Sequence, residues 1–289
     1  MKEGSLDAPI RHAVQWQDEN FYSTDKLDEE LRRVFDVCHG CRRCFNLCDS
    51  FPKLFDLIDE SESGELDTVA SADFEPIVDA CTLCDMCYLT KCPYVPPHEF
   101  NIDFPHLMLR YRAVQFRNGQ TPFVNKQLTK TDRNGKAFGK IASIVNWGSN
   151  VENSVPRKLL ETTCNVHRDA SLPKYHKQTF LETNKNRAKS VNSKAPGYGR
   201  KAVVYATCFV NYNNPSIGTS ALDVLNTNGV ETEVVYPSCC GMPQLEQGNI
   251  ADVARAAEKV AKELRIWVDK GNDIIALTPS CALMLKFEW

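Results

Sequence analysis

Cys81-Thr82-Leu83-Cys84-Asp85-Met86-Cys87, followed by a fourth cysteine at Cys92-Pro93, is the stretch on which the reading of this chain turns. Three cysteines at three-residue intervals supply three thiolates from one tight loop. The fourth comes from a segment that a proline turns away. That spacing wraps a four-iron cluster. A near-copy precedes it at Cys38, Cys41, Cys44 and Cys48. Zinc more often takes two Cys-x-x-Cys pairs or a mixture with histidine. Two triplets, each with a trailing cysteine, point instead to paired [4Fe-4S] clusters. In such pairs the fourth cysteine of each run serves the other cluster. The expected ligands are Cys38, Cys41, Cys44 and Cys92 for cluster 1, and Cys81, Cys84, Cys87 and Cys48 for cluster 2.

The first run departs from the usual pattern, because Asp49 rather than proline follows Cys48. A different local turn is expected there, with the ligand retained. Arg42 and Arg43 lie inside the first loop and Asp85 inside the second. Positive charge favours a reduced cluster, so cluster 1 is expected to have the higher potential. His39 reads as a hydrogen-bonding neighbour, since four thiolates already suffice.

Thirteen cysteines among 289 residues is an odd count, and eight of them stand at metal-ligand spacing. Both facts argue against a disulfide framework and for a reducing compartment. Met1 to Asn20 shows no basic segment followed by an apolar run, and Ala202 to Val210, the longest apolar run, is too short to span a bilayer. The expected location is cytoplasmic, with peripheral attachment at the inner face of a membrane as a further expectation. The net charge of −3 conceals three blocks. Residues 1–104 hold nine Lys/Arg against 22 Asp/Glu, residues 105–201 hold 19 against five, and residues 202–289 hold six against ten. The basic middle either faces a partner or membrane surface, or neutralises the acidic head and the anionic clusters internally.

Residues 1–24 read as an N-terminal arm. Leu27, Leu31, Val34 and Phe35 mark one apolar helical face leading to Cys38. Further helices are expected around Leu54–Ile58 and Ile77–Val78, so that helix and cysteine loop occur twice over residues 25–116. This internal repeat favours an all-helical two-cluster domain of ferredoxin type. Leu107, Tyr111 and Val114 predict a helix that packs on it. Residues 117–200 are basic and weakly periodic and read as a connector, with helix candidates at Ile141–Val145 and Val155–Leu160 and an exposed loop over Asn184–Arg200. From Lys201 the pattern alternates: strand 202–206, helix 220–225, strand 230–236, helix 252–269 stopped at Gly271, strand 274–277. Alternation of this kind predicts a parallel α/β sheet over residues 201–289. The fold class is therefore α plus α/β.

Cys208, Cys239-Cys240-Gly241 and Cys281 each follow one of the predicted strands. Parallel strands end on one sheet edge, so these four thiols are expected to converge there. They could hold a third iron–sulfur cluster, Cys239 and Cys240 could be redox-active thiols, or all four could be buried packing residues. Cys164 stands alone.

Cys208-Phe209-Val210-Asn211-Tyr212-Asn213, Cys239-Cys240-Gly241-Met242-Pro243 and Pro279-Ser280-Cys281 together resemble the CCG (cysteine-rich) domain. That domain occurs in the B-subunit of heterodisulfide reductase and in iron–sulfur proteins of glycolate and lactate oxidation. With two ferredoxin-type runs ahead of it, the chain resembles the C-subunit family of anaerobic glycerol-3-phosphate dehydrogenases. The resemblance implies an electron-transfer subunit that takes electrons from a flavoprotein dehydrogenase towards a membrane quinone or another acceptor. Met284 stands where heterodisulfide reductase has the second cysteine of a Cys-x-x-Cys, which weakens disulfide-cleaving chemistry for this half. The family carries two CCG copies and one is present here, so the resemblance also implies a truncated sequence.

Neither GxGxxG nor GxxxxGK[ST] occurs, so no flavin or NAD site is expected. The rival readings are a thiol–disulfide reductase centred on Cys239 and Cys240, and a zinc-holding, non-redox binding protein. Nucleic acid is a poor partner for the latter, because the basic middle has few interleaved aromatics.

Overall fold

Two apolar faces decide the first half of the chain. In the computed structural model, which describes residues 3–185, 187 and 190–289, helix α1 (Thr24–Cys41) buries Leu27, Leu31, Val34 and Phe35. Ser23 caps it, and Arg42 ends it in the left-handed region at φ 51°. The helix does not merely lead to the first cysteine. Cys38 and Cys41 lie on its last turn. Helix α2 (Ser50–Asp59) buries Phe51, Leu54, Phe55 and Ile58, and α3 (Glu75–Ala80) buries Ile77 and Val78. Helix α4 (Phe104–Arg117) opens on Asp103, whose Oδ1 accepts from the His106 N–H at 3.1 Å. Phe35 meets Phe74 edge-on at 5.1 Å, and Phe51 lies 4.7 Å from Phe104. These rings form the core of the first unit, which comprises the described residues to Thr121 together with Gln244–Ile250.

The arm at the N-terminus belongs to this unit. Ser5 N–H donates to the Pro93 carbonyl (2.8 Å) and Ile10 N–H to that of Pro96 (2.9 Å). Its backbone thus follows the segment that carries the fourth cysteine of the second run.

The second unit covers Pro122–Pro243 and Ala251–Trp289. Here the expectation for 117–200 needs correction. A connector should lack tertiary structure of its own. Instead, four helices fold over it: α5 (Phe123–Leu128), α6 (Thr131–Lys140), α7 (Ala142–Ser149) and α8 (Ser154–Cys164), with the short α9 (Phe180–Asn184) beyond. The helix candidates at Ile141–Val145 and Val155–Leu160 fall on α7 and α8, which polar residues such as Arg157 and Asn146 hold, while Phe180 of α9 enters the core. The exposed loop expected over Asn184–Arg200 lies partly outside the described residues, at 186, 188 and 189; residues 190–200 form turns.

Strands β1 (Lys201–Tyr205), β2 (Glu231–Val235) and β3 (Asp273–Ala276) form a parallel sheet in the order β2-β1-β3. Val204 pairs with Val234 and Val203 with Ile274. β1 is central and buried from Ala202 to Tyr205, as its unbroken apolar run requires. Helix α10 (Pro215–Thr227) crosses from β1 to β2. The short α11 (Met242–Glu246) and the long α12 (Ile250–Val268) cross from β2 to β3, and α13 (Pro279–Leu283) follows β3. Phe180, Val204, Ala206, Val210 and Leu222 form the buried core. Among the described residues no helix is long and apolar enough to cross a membrane.

Candidate functional site

In the first unit, Cys44 and Cys48 follow in the turn between α1 and α2, while the second run leaves the end of α3 as an irregular loop. Leu83 (φ 49°) and Asp85 (φ 62°) take left-handed conformations inside it. Cys87 opens a wide helical turn, closed by the Cys92 N–H donating to the Cys87 carbonyl at 2.8 Å. The two runs thus share spacing but not backbone.

The structure brings Cys92 beside the first run. A small pocket is lined by Cys38, Cys41, Cys44 and Cys92, with Phe51 and Tyr94 on its apolar walls. Another is lined by Cys38, Cys44, Cys87 and Cys92. Burial, then the neighbouring Cys92, Cys44 and Cys41, hold the Cys38 thiol well above its ordinary range. Burial, then Cys92 and Cys41, push Cys44 up to about 12. Burial also pushes Cys81 up to about 11, with Cys48 and Cys84 among the neighbours that raise it further. Cys48 therefore stands near Cys81 as well as Cys44. Among the described residues no group of three or more His, Cys, Asp or Glu converges on a single ion. A four-iron cluster does not need such convergence, because it takes one thiolate at each iron and so keeps its ligands apart.

The charges around these loops are paired. Arg42 donates to Asp59 (Nη1 to Oδ2, 2.8 Å), and His39 Nε2 lies 2.9 Å from the same carboxylate. His39 thus bonds a carboxylate on α2 rather than a thiol of the first run. Asp85 is 1% exposed and bound by Arg11, Nη1 to Oδ2 at 2.5 Å and Nη2 to Oδ1 at 2.8 Å. The same guanidinium donates to Asp103 at 2.9 and 3.0 Å and lies 4.3 Å over the Tyr88 ring. Of the three charges that distinguished the runs in sequence, two have opposite-charge partners. Arg43 lies on the wall of the first pocket.

In the second unit the parallel sheet delivers Cys208, Cys239-Cys240 and Cys281 to one edge. Cys239 Sγ lies 3.7 Å from Cys208 Sγ, and Cys240 Sγ lies 3.4 Å from Cys281 Sγ. Gly241 takes φ 94°, and a Cβ there would stand 3.3 Å from the Val253 Cα, so glycine serves both the conformation and the close approach. Tyr205 Oη donates to the Ser238 carbonyl at 2.6 Å, and the Thr207 and Thr278 hydroxyls meet at 2.8 Å. These bonds tie the three strand-end loops together. Hydrogen bonds from Cys208 and then Cys240 lower the Cys239 thiol, and the same contacts, with burial, raise Cys208 and Cys240. Met284 is fully buried, and Cys164 lies apart, with the Thr163 hydroxyl at 3.5 Å.

Helix α6 contributes to this edge, which sequence did not foresee. Asp132 Oδ2 accepts from the Cys239 N–H at 3.0 Å, and its Oδ1 accepts from the Tyr236 hydroxyl. The buried Thr131 hydroxyl lacks a well-aligned partner yet lies near the Cys208 and Cys239 thiols and lowers both. Gly135 lets α6 rest on the Tyr212 ring. Arg11 was also missed. The usable signal was Asp85 itself, a carboxylate among thiolates that calls for a cation.

Residues 202–286 match the family model of the CCG cysteine-rich domain. Over 167 residues the chain is 29% identical to the C-subunit of the anaerobic glycerol-3-phosphate dehydrogenase of Escherichia coli strain K12, and equally to that of Escherichia coli O157:H7. The aligned part is 57% of this chain and 41% of either relative, so the chain spans less than half the length of the curated relatives it matches. The resemblance drawn from the cysteine motifs thus has independent support. No solved structure matches the chain.

Proposed function

We propose that the chain is an iron–sulfur electron-transfer subunit of an oxidoreductase complex. The observation that carries this reading is that Cys92 lines one pocket with Cys38, Cys41 and Cys44, while Cys208 and Cys239, and Cys240 and Cys281, meet at the sheet edge. Cys38, Cys41, Cys44 and Cys92 would hold one [4Fe-4S] cluster, and Cys81, Cys84, Cys87 and Cys48 the other. Cys208, Cys239, Cys240 and Cys281 offer an all-thiol set for a third centre. The donor chemistry fits, since four soft thiolates are what iron–sulfur clusters take. When bound, such clusters supply one-electron transfer at potentials set by charge, hydrogen bonds and exposure.

The protein's own residues prepare that environment. Phe51, Phe55 and Tyr94 keep the first pocket apolar. Arg11 offsets the Asp85 charge in the second loop, and Asp132 fixes the backbone of Cys239. The relatives are dehydrogenase subunits by name, which supports a flavoprotein dehydrogenase as donor. A quinone or another acceptor would take the electrons, with the chain in a reducing compartment and peripheral at the inner face of a membrane. Residues 25–116 would form the two-cluster unit and 201–289 the CCG unit.

Anaerobic purification followed by iron, sulfide and zinc analysis tests this. The expectation is about eight irons per chain, and about twelve if the third group holds a four-iron centre. Zinc without iron would overturn it. The Cys208–Cys239 contact of 3.7 Å, with the Cys239 thiol held below its ordinary range by hydrogen bonds from its neighbours, favours thiol–disulfide exchange as a second reading. Reduction of a disulfide substrate that a Cys239→Ser variant cannot perform would select it.

A further inference from the structure

Helices α7 and α8 are built inside out. Neither buries an apolar side chain, and the buried residue of α8 is Arg157, 1% exposed. Its guanidinium donates to four carbonyls: Ser149 at 3.3 Å, His167 at 2.7 Å, Arg168 at 2.9 Å and Ala170 at 2.7 Å. Asn146 exchanges two hydrogen bonds of 2.8 Å with the Tyr175 backbone, and Asn153 donates to the Trp147 carbonyl at 2.6 Å. Polar residues therefore hold this hairpin from within. Val145 and Leu160 are half-buried, but the other large apolar residues face outward: Ile144 is 67% exposed, Trp147 61%, Val155 78% and Leu159 63%, with Ile141 and Val151 alongside. Ile141, Ile144 and Trp147 recur at three-residue steps, and Val155 and Leu159 are four apart, so each helix presents a stripe.

Such a stripe in water carries a cost that some partner removes. The charge around it selects the kind of partner. Lys136, Lys140 and Lys158 are exposed on α6 and α8, against Glu152 as the exposed acid between α6 and the end of α8 among the described residues. Protein interfaces are depleted of lysine. Faces that lie in a membrane interface instead combine basic residues with Trp and aliphatic side chains, and here the exposed Lys140 and Lys158 directly adjoin Ile141 and Leu159 in the chain.

We propose that α7 and α8 form a preformed docking surface for an anionic phospholipid bilayer. Trp147 and its aliphatic neighbours enter the headgroup boundary, and the lysines meet the lipid phosphates. Attachment is shallow, reversible and salt-dependent. This deepens the peripheral placement proposed above but does not depend on iron, so the two readings can fail separately.

The test is co-sedimentation of the full, cluster-loaded chain with vesicles of phosphatidylglycerol and phosphatidylcholine, compared with phosphatidylcholine alone. Binding is expected to the anionic vesicles, with a blue shift of tryptophan emission that a Trp147→Phe variant lacks. Ile144→Asp with Trp147→Asp should lower partitioning by roughly 100-fold, because the area these side chains bury is lost. Lys136→Glu with Lys140→Glu should lower it by about tenfold, and about 0.5 M salt should do the same to the unaltered chain. All four sites are exposed, and circular dichroism and iron content check that the variants stay folded. Absence of binding to anionic vesicles at low salt overturns the proposal. So does binding that survives the Asp pair. A dimer that the Asp pair dissolves, without vesicle binding, assigns the face to a second copy instead.

Discussion

Replacing Arg11 with alanine should destabilise the first unit far more than loss of one residue from an irregular arm would suggest. Four guanidinium hydrogen bonds of 2.5 to 3.0 Å join Arg11 to Asp85 and Asp103, and the two ends of the Arg11–Asp85 pair are 12% and 1% exposed. Burial works against the Arg11 charge, yet the bonds to Asp85 and Asp103 hold its pKa above the ordinary value. Removing one member of a pair this buried costs about 3–5 kcal/mol, because the remaining charge keeps its desolvation penalty. Asp85 would then lie near Asp103 with no guanidinium between them. The assay is anaerobic urea unfolding of the full chain, followed by the first unit's visible and far-ultraviolet signals. Asp85→Asn completes a double-mutant cycle, and asparagine tolerates the left-handed backbone at φ 62°. The double variant should recover a large part of the Arg11→Ala loss. A loss below about 1 kcal/mol, or costs that simply add, would refute a buried charge pair and reduce Arg11 to surface decoration.

Gly135→Ala would place a Cβ 2.3 Å from the Tyr212 Cγ. It should cost about 1–3 kcal/mol by overpacking, read as a lower urea midpoint of the second unit. Asp132→Asn keeps the size but weakens a charged acceptor of the Cys239 N–H; about 1–3 kcal/mol is expected, and no change would remove α6 from the site. Burial raises Glu246 above its ordinary value despite Arg112. As pH rises the unfolded chain loses that proton first, so stability falls through the window between the unfolded and folded values. Glu246→Gln should match the parent below that window and exceed its urea midpoint at neutral pH. Burial also keeps Cys38, Cys44, Cys81, Cys87 and Cys92 protonated at neutral pH. Cluster reconstitution should therefore release about one proton per ligand thiol, visible with an indicator dye in weak buffer. No release would mean the thiols were already ionised.

The signals legible in the chain before folding are local ones. Apolar periodicity placed α1 and its buried Leu27, Leu31, Val34 and Phe35, because one helical face must leave water. The strands expected from the alternation of strand and helix patterns lie within a residue of β1, β2 and β3 at either end. Parallel order then sends every strand end to one edge, so the meeting of Cys208, Cys239, Cys240 and Cys281 was legible before any coordinates. Before Lys201 the helix candidates at 141–145 and 155–160 fall on α7 and α8, but their packing was not legible. These helices are held by Arg157, Asn146 and Asn153 bonding to backbone carbonyls, and such bonds leave no period in the sequence. Which charges act was decided by folding alone. In chain order each cysteine loop has a sign, through Arg42 and Arg43 in one and Asp85 in the other. Folding set Asp59 against Arg42 and carried Arg11 across 74 positions to Asp85. Charge is a property of residues, but the field at a site depends on what lies within a few ångströms, and chain order does not fix that.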